Sequence, residues 1–297
     1  MSAFQFRTVP HIVSAPGAAA DLARHAAPAL KGARRLLLVT DKGVMGLGLL
    51  NKALDGLERA GFAVHVYDKV VADPPERVLF EAVEEGLAFG AEAVIGFGGG
   101  SPMDTAKVVA LLLGGPQKLA DMYGMDKATG PRLPLVLIPT TAGTGSEVTS
   151  VAVITTGATS KRGIAAAPLY ADMAILDADL TLGLPKPITA ATGIDAMVHA
   201  IEAYTGKRFK NPVSDALALA AMKKLHGALE RVCKDGSDRE GRADMLLGAM
   251  LAGQAFSNSP ADAARRPASP PTSALRAHHR FAPQPAGRAE PARARFP

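Results

Sequence analysis

Short apolar runs, each followed by a glycine-marked turn and an amphipathic stretch, pattern the first 184 residues. Residues 34–41, RRLLLVTD, are an apolar run closed by an acid, which predicts a buried strand. A helix over 47–60 and a strand over 63–67 follow. A helix over 76–89 leads into the AVIGF strand at 93–97, which is broken by Gly98, Gly99, Gly100 and Ser101. Residues 103–113 read as a helix and 135–138 as another buried strand, followed by a Thr/Gly loop at 140–146. Such alternation predicts a parallel α/β sheet with helices on both faces. From residue 185 the pattern changes. Residues 188–204, 212–229 and 242–256 read as helices rich in Ala, Leu and Met, with no strand signal between them. The expected division is an α/β domain over 1–184 and a partial helical domain over 185–260.

Residues 261–297 fit neither pattern. They hold 11 Ala, 7 Pro and 7 Arg, and Leu275 is the only aliphatic residue larger than Ala. That composition cannot bury enough apolar surface to order itself, so a disordered tail is expected. The stretch also explains the charge. The chain carries a net +5, and the seven tail arginines against Asp262 and Glu290 account for all of it. The body is neutral, so nothing in it argues for a nucleic-acid partner.

With 48% hydrophobic and 21% charged residues over 297 positions, the composition is that of a globular protein rather than a collagen-like or disordered one. Apolar stretches such as 108–113 fall far short of the ~20 residues a membrane span needs. Residues 1–10 show no secretory series. Cys233 is the sole cysteine and forms no internal disulfide, so a cytoplasmic, reducing location is expected.

Three places carry candidate chemistry. Gly98, Gly99, Gly100 and Ser101 stand between a strand and a helix. There the backbone approaches a ligand closely and helix N–H groups favour an anion such as a diphosphate, with Pro102 expected at the first helical position. The same tetrapeptide also makes a plain tight turn, and it is not the GxGxxG fingerprint. Thr140, Thr141 and Thr144, with Gly143 and Gly145, follow the next strand and could surround a ribose or nicotinamide with donors; a polar loop is the alternative. Asp41, ending its strand, could accept both hydroxyls of an adenosine ribose and repel a 2′-phosphate, or could simply cap a helix. Further on, Asp195 and His199 lie four apart on a helix. Carboxylate oxygen and imidazole nitrogen there suit Fe(II), Zn or Mn, although a D-x-x-x-H pair also reads as an ion pair. Glu202 could join them or sit behind them.

GFGGGSPMDTAK at 96–107, IPTTAGTGSEVT at 138–149, LDADL at 176–180 and ATGIDAMVHAIEAY at 191–204 together resemble the iron-containing alcohol dehydrogenases. That family shares its fold with dehydroquinate synthase and glycerol dehydrogenase. The resemblance covers residues 1 to 260. It implies a Rossmann-like α/β N-terminal domain and an all-α metal domain, with the small alcohol or aldehyde in the cleft between them. By this resemblance Asp41 binds the adenosine ribose of NAD, and Gly98, Gly99, Gly100 and Ser101 hold its diphosphate. Thr140, Thr141 and Thr144 line the cofactor. Asp73 stands where relatives often carry Asn near the adenine. Asp195 and His199 match the first two metal ligands, and an intact relative is expected to be a homo-oligomer. The implied reaction is hydride transfer between an alcohol carbon and NAD. Within the same fold, a polyol, lactaldehyde or maleylacetate oxidoreductase is the alternative, and outside catalysis, a nucleotide-binding remnant.

The family requires two further histidines beyond His199, in HAxxHPLG-like and PHG-like segments, and neither segment is present. His278 and His279 have no motif around them. Codons from Ala264 onward, started at their second base, permit HAxLHPL, and those of residues 281–285 permit Ser-Pro-His-Ser. The expectation is therefore a change of reading frame near codon 264, leaving the chain two metal ligands short and its activity impaired.

Overall fold

The computed structural model describes residues 3–157, 159–207 and 209–260. The expected tail, its changed register, His278 and His279 lie outside the described residues. The chain runs through β1 (His11–Ser14), α1 (Leu22–Leu30), β2 (Arg35–Asp41), α2 (Lys42–Gly46), α3 (Asn51–Arg59) and β3 (Ala63–Val70). It continues through α4 (Glu76–Phe89), β4 (Ala93–Gly98), α5 (Gly100–Gly114), α6 (Leu119–Met122), β5 (Gly124–Met125) and β6 (Leu135–Pro139). Next come β7 (Val151–Thr156), β8 (Ser160–Ala165) and β9 (Met173–Leu176), and then the long helices α7 (Lys186–Thr205), α8 (Pro212–Lys234) and α9 (Arg239–Asn258).

Six strands form a parallel sheet in the order β1-β9-β6-β4-β2-β3. The inner strands β2, β4, β6 and β9 are apolar and buried because both faces are covered, while the outer strands β1 and β3 are partly exposed. Leu37 and Val39 point into the core shared with α4 and α5, while Leu36 and Leu38 point to the opposite core with α1 and α3. After β2 the chain steps outward to β3, then returns across β2 to β4. The strand order therefore reverses between β2 and β4, and the carboxyl ends of strands flanking such a reversal open into a crevice.

Several sequence expectations need correction. The helix expected over 47–60 begins only at Asn51, because Gly48 takes a left-handed φ of +66° that a helix cannot contain, and a short helix not expected from the sequence, α2, precedes it over Lys42–Gly46. The strand expected over 63–67 runs on to Val70, with an irregularity where both Lys69 and Val70 pair with Asp41. Helix α5 begins at Gly100, so Pro102 is its third residue rather than its first. It still lies in the turn whose N–H groups have no helical acceptor. A second sheet, β5-β8-β7, was not anticipated. It packs Ala152, Ile154 and Ile164 against Leu79, Val108 and Leu111.

Helices α7, α8 and α9 pack on one another where small residues permit close approach. A Cβ on Gly193 would lie 2.5 Å from Leu229 Cδ1, and one on Gly248 2.8 Å from Leu225 Cγ. Buried Arg242 fastens α9 to the start of α7, donating from Nη1 to Thr189 Oγ1 at 2.8 Å and from Nη2 to Leu184 O at 3.2 Å. Ile194, Val198 and Ile201 form an exposed apolar stripe along α7.

Candidate functional site

The apolar run of β2 delivers Asp41 to one side of the strand-order reversal, and β4 delivers Gly98 to the other. Gly98 has φ +152°, and a Cβ there would meet Pro102 Cγ at 2.7 Å, so glycine is required for the chain to turn into α5. Asp41 performs one role weighed from the sequence: its Oδ1 accepts a 3.0 Å hydrogen bond from Val44 N and caps α2. Its Oδ2 faces Gly98, 3.5 Å from where a Cβ would stand. Asp41, Gly99, Gly100 and Ser101 line a single open cleft of 780 Å³, together with Lys69, Arg77 and Glu81. The free N–H groups at the start of α5 thus share a cleft with a carboxylate at the end of β2. This is the arrangement that suits a diphosphate flanked by a ribose.

The second loop lies against the first. Thr140 N donates to Gly98 O at 3.0 Å, with Thr140 itself buried. A Cβ on Gly99 would come within 3.5 Å of Thr141 Oγ1, and one on Gly100 within 2.9 Å of Thr144 Cγ2. Gly100 therefore packs too closely on Thr144 for a side chain, while at Gly99 a Cβ would make only ordinary contact with Thr141. Asp73 stands apart from this group. It has a left-handed φ of +54° and bonds Lys161 Nζ at 2.5 Å, while its carbonyl accepts from Thr155 Oγ1.

A buried ionic cluster behind the loops was missed from the sequence. Lys107 on α5 has no exposed surface. Its Nζ donates to Ser146 Oγ at 2.8 Å, Thr149 Oγ1 at 3.2 Å and Val151 O at 2.8 Å, and lies 3.6 Å from Asp104 Oδ1. Asp104 in turn accepts from Ser146 Oγ at 2.6 Å and Val153 N at 2.9 Å. Burial pushes the Lys107 ammonium down against the pull of Asp104 and Glu147, and pushes the Asp104 carboxyl up against Lys107. Burial also raises Glu147 from the ordinary 4.5 to about 7, opposed by its own backbone N–H and by Lys107. The cluster ties α5 to the Thr/Gly loop. Its signal was an Asp and a Lys at i, i+3 inside an otherwise apolar helix.

Asp195 and His199 occupy successive turns of α7, with His199 Nε2 4.0 Å from Asp195 Oδ1 and both side chains mostly buried. That separation is too long for a hydrogen bond. Burial raises the Asp195 carboxyl above its ordinary range, with His199 pulling it back. His199 Nδ1 is buried without a partner, and the ring lies 4.9 Å from that of Phe256 on α9. One turn before Asp195, Thr192 packs against the Thr/Gly loop, since a Cβ on Gly143 would meet Thr192 Cβ at 2.8 Å. Thr192 shares one side of α7 with Asp195 and His199, and through it that side packs on the loop after β6. The oxygen and nitrogen donors fit two positions of a divalent-metal sphere. Among the described residues no group of three or more His, Cys, Asp and Glu forms a fuller one, so Glu202 does not join the pair.

The molecule is a doubly wound α/β unit with a helical unit packed against the loop that follows β6. The family described as iron-containing alcohol dehydrogenase matches residues 10–178, and its C-terminal counterpart matches residues 189–265. The chain belongs to the iron-containing alcohol dehydrogenase family. It is 37% identical over 258 residues to sulfoacetaldehyde reductase of Bilophila wadsworthia (strain 3_1_6), covering 86% of this chain and 66% of that protein. It is 41% identical over 238 residues to long-chain-alcohol dehydrogenase 1 of Geobacillus thermodenitrificans (strain NG80-2), covering 77% and 58%. Among solved structures, a 1,3-propanediol oxidoreductase superposes with TM-score 0.83 at 32% identity, covering 87% of this chain and 67% of that one. Sulfoacetaldehyde reductase from Bifidobacterium kashiwanohense, in complex with NAD+, superposes with TM-score 0.81 at 30% identity, covering 87% and 68%. The chain spans less than two thirds of the length of these two curated relatives. Among the described residues no helix is long and apolar enough to cross a membrane.

Proposed function

We propose that this chain carries the NAD site of a metal-dependent oxidoreductase that interconverts a small alcohol and its aldehyde. The observation that carries the reading is the shared cleft in which the Asp41 carboxylate and the N-terminal turn of α5 face the same space. In this reading Asp41 Oδ2 accepts the ribose hydroxyls, and the N–H groups at Gly99, Gly100 and Ser101 hold the diphosphate. Thr140, Thr141 and Thr144 border the nicotinamide side. NAD is the hydride carrier; the residues of this chain position it and exclude water from its reactive face.

Asp195 and His199 are the proposed metal ligands, with iron the expected ion and zinc or manganese the alternatives. A bound divalent ion would supply Lewis acidity toward the substrate oxygen. Asp195 would contribute a charged oxygen, and His199 a ring nitrogen held by packing on Phe256. The relatives are named for sulfoacetaldehyde, long-chain alcohols, 4-hydroxybutyrate, methanol and choline, which supports the alcohol and aldehyde class and no narrower substrate.

A second reading, a nucleotide-binding remnant with little catalysis, is favoured by the two-ligand metal set among the described residues. The match to the C-terminal family region ends at residue 265, next to the expected change of register at codon 264. Sequencing the gene across codons 258–266 in independent isolates tests this directly. An inserted base, or two lost, supports an impaired chain, and an unshifted gene rejects it. For the nucleotide site, fluorescence titration of NAD and NADP is the test, with tighter NAD binding expected.

A further inference from the structure

Lys69 stands across the β2–β3 pair from Asp41, since the two are register partners where β3 becomes irregular. Both line the cleft assigned to the nucleotide. A lysine opposite the ribose carboxylate is placed to attract a 2′-phosphate, which Asp41 alone would repel. Its ammonium is engaged elsewhere. Nζ donates to Glu81 Oε1 at 2.5 Å and to Glu85 Oε1 at 2.9 Å, both carboxylates projecting from α4. Glu85 is held in turn by His65, whose Nε2 lies 2.7 Å from Oε2, and Glu81 also accepts from Tyr67 O–H at 3.4 Å. Glu81 itself lines the cleft, so it presents negative charge to the same space. Two carboxylates around one ammonium leave this corner net negative, where a lone lysine would leave it positive.

Resting on the NAD-site reading above, we propose that Glu81 and Glu85 are specificity-determining residues of the cleft. By holding the Lys69 ammonium away from the ribose edge, they withhold a cation that would otherwise admit a 2′-phosphorylated dinucleotide. Asp41 supplies the direct repulsion; Glu81 and Glu85 remove the counter-charge that could offset it. Lys42 and Arg77 also line the cleft, but they are common to every variant compared here and cancel from the comparison.

The test is calorimetric titration of NAD and of NADP into the full 297-residue chain, into the E81Q/E85Q variant, and into E81Q/E85Q with K69M added. The quantity read is the ratio of the two dissociation constants. E81Q/E85Q is expected to shift that ratio toward NADP by roughly threefold or more at low salt, with the shift shrinking as salt is raised. Adding K69M is expected to remove the larger part of the shift, leaving only what the lost carboxylate charge contributes directly. A general loosening of α4 would weaken both dinucleotides together and leave the ratio in place, so an unchanged ratio with NAD still bound overturns the proposal. A shift undiminished by K69M also overturns it, because the agent would then be the charge of Glu81 itself and not the released ammonium. Failure of the unaltered chain to bind NAD overturns the underlying site reading as well, and is distinguishable from both.

Discussion

Gly145 and Gly253 meet backbone to backbone. A Cβ on Gly145 would lie 2.7 Å from Gly253 Cα, and one on Gly253 would lie 2.8 Å from Gly145 O. Through this contact the loop after β6, which packs on Gly98 and Gly100, is seated directly on α9. Gly145 also takes a left-handed φ of +60°, so neither position has room for a side chain. Gly253→Ala is expected to destabilise the protein by roughly 1–3 kcal/mol, through backbone displacement rather than any lost hydrogen bond. Thermal unfolding measures the stability, and NAD titration of the folded variant is expected to show weaker binding. A Gly253→Ala protein with unaltered melting temperature and NAD affinity would contradict the close seating.

The Lys107 cluster makes a non-additive prediction. Lys107→Met leaves Asp104 buried beside an apolar group and is expected to cost roughly 3–5 kcal/mol in denaturant unfolding. Adding Asp104→Leu removes the stranded charge, so the double variant should be more stable than Lys107→Met alone. A double variant that is less stable than either single one would reject the assignment of the cost to an uncompensated carboxylate.

Glu147 makes the pH prediction. Burial raises its folded-state value to about 7 from 4.5, so the folded protein binds the proton more tightly than the unfolded chain does. Its contribution to stability is therefore fully present below the unfolded value. It is lost as pH rises toward the folded one, with a slope of up to roughly 1.4 kcal/mol per pH unit. Glu147→Gln removes this term. The unaltered chain should lose stability relative to Glu147→Gln between about pH 5 and about pH 7, and the gap should level off above that range. A pH-independent gap between the two proteins would reject a neutral Glu147.

The metal pair predicts weak, chelator-sensitive binding. The two proposed ligands among the described residues are fewer than the three or more that catalytic metal sites usually provide. The purified chain should lose its metal to a chelator readily, and His199→Ala should abolish the residual binding seen by elemental analysis. Tight metal retention in the unaltered chain would show that further ligands are engaged.

The sequence made β2, β4 and β6 legible because strands buried on both faces leave continuous apolar runs, as in RRLLLVTD and AVIGF, whereas β1 and β9 of the same sheet went unread. Asp41 and the glycines at 98–100 were legible because strand ends and helix starts are marked by residues of restricted or special backbone behaviour. The β7–β8 hairpin escaped notice, since its strands are half-exposed and carry no uniform apolar run. Lys107 was hidden for a different reason. Its burial depends on acceptors from Ser146, Thr149 and Val151, which only the fold brings to α5. The late start of α3 at Asn51 turned on the left-handed conformation of Gly48, which periodicity does not record.

The central claim, a NAD site built from Asp41 and the start of α5, is tested most directly by calorimetric titration of NAD and NADP into the unaltered chain and into Asp41→Ala. NAD should bind more tightly than NADP, and Asp41→Ala should narrow the difference by roughly fivefold or more, as expected for removing a carboxylate beside a 2′-phosphate. Equal binding of the two dinucleotides by the unaltered chain, or an unchanged preference in Asp41→Ala, would contradict it.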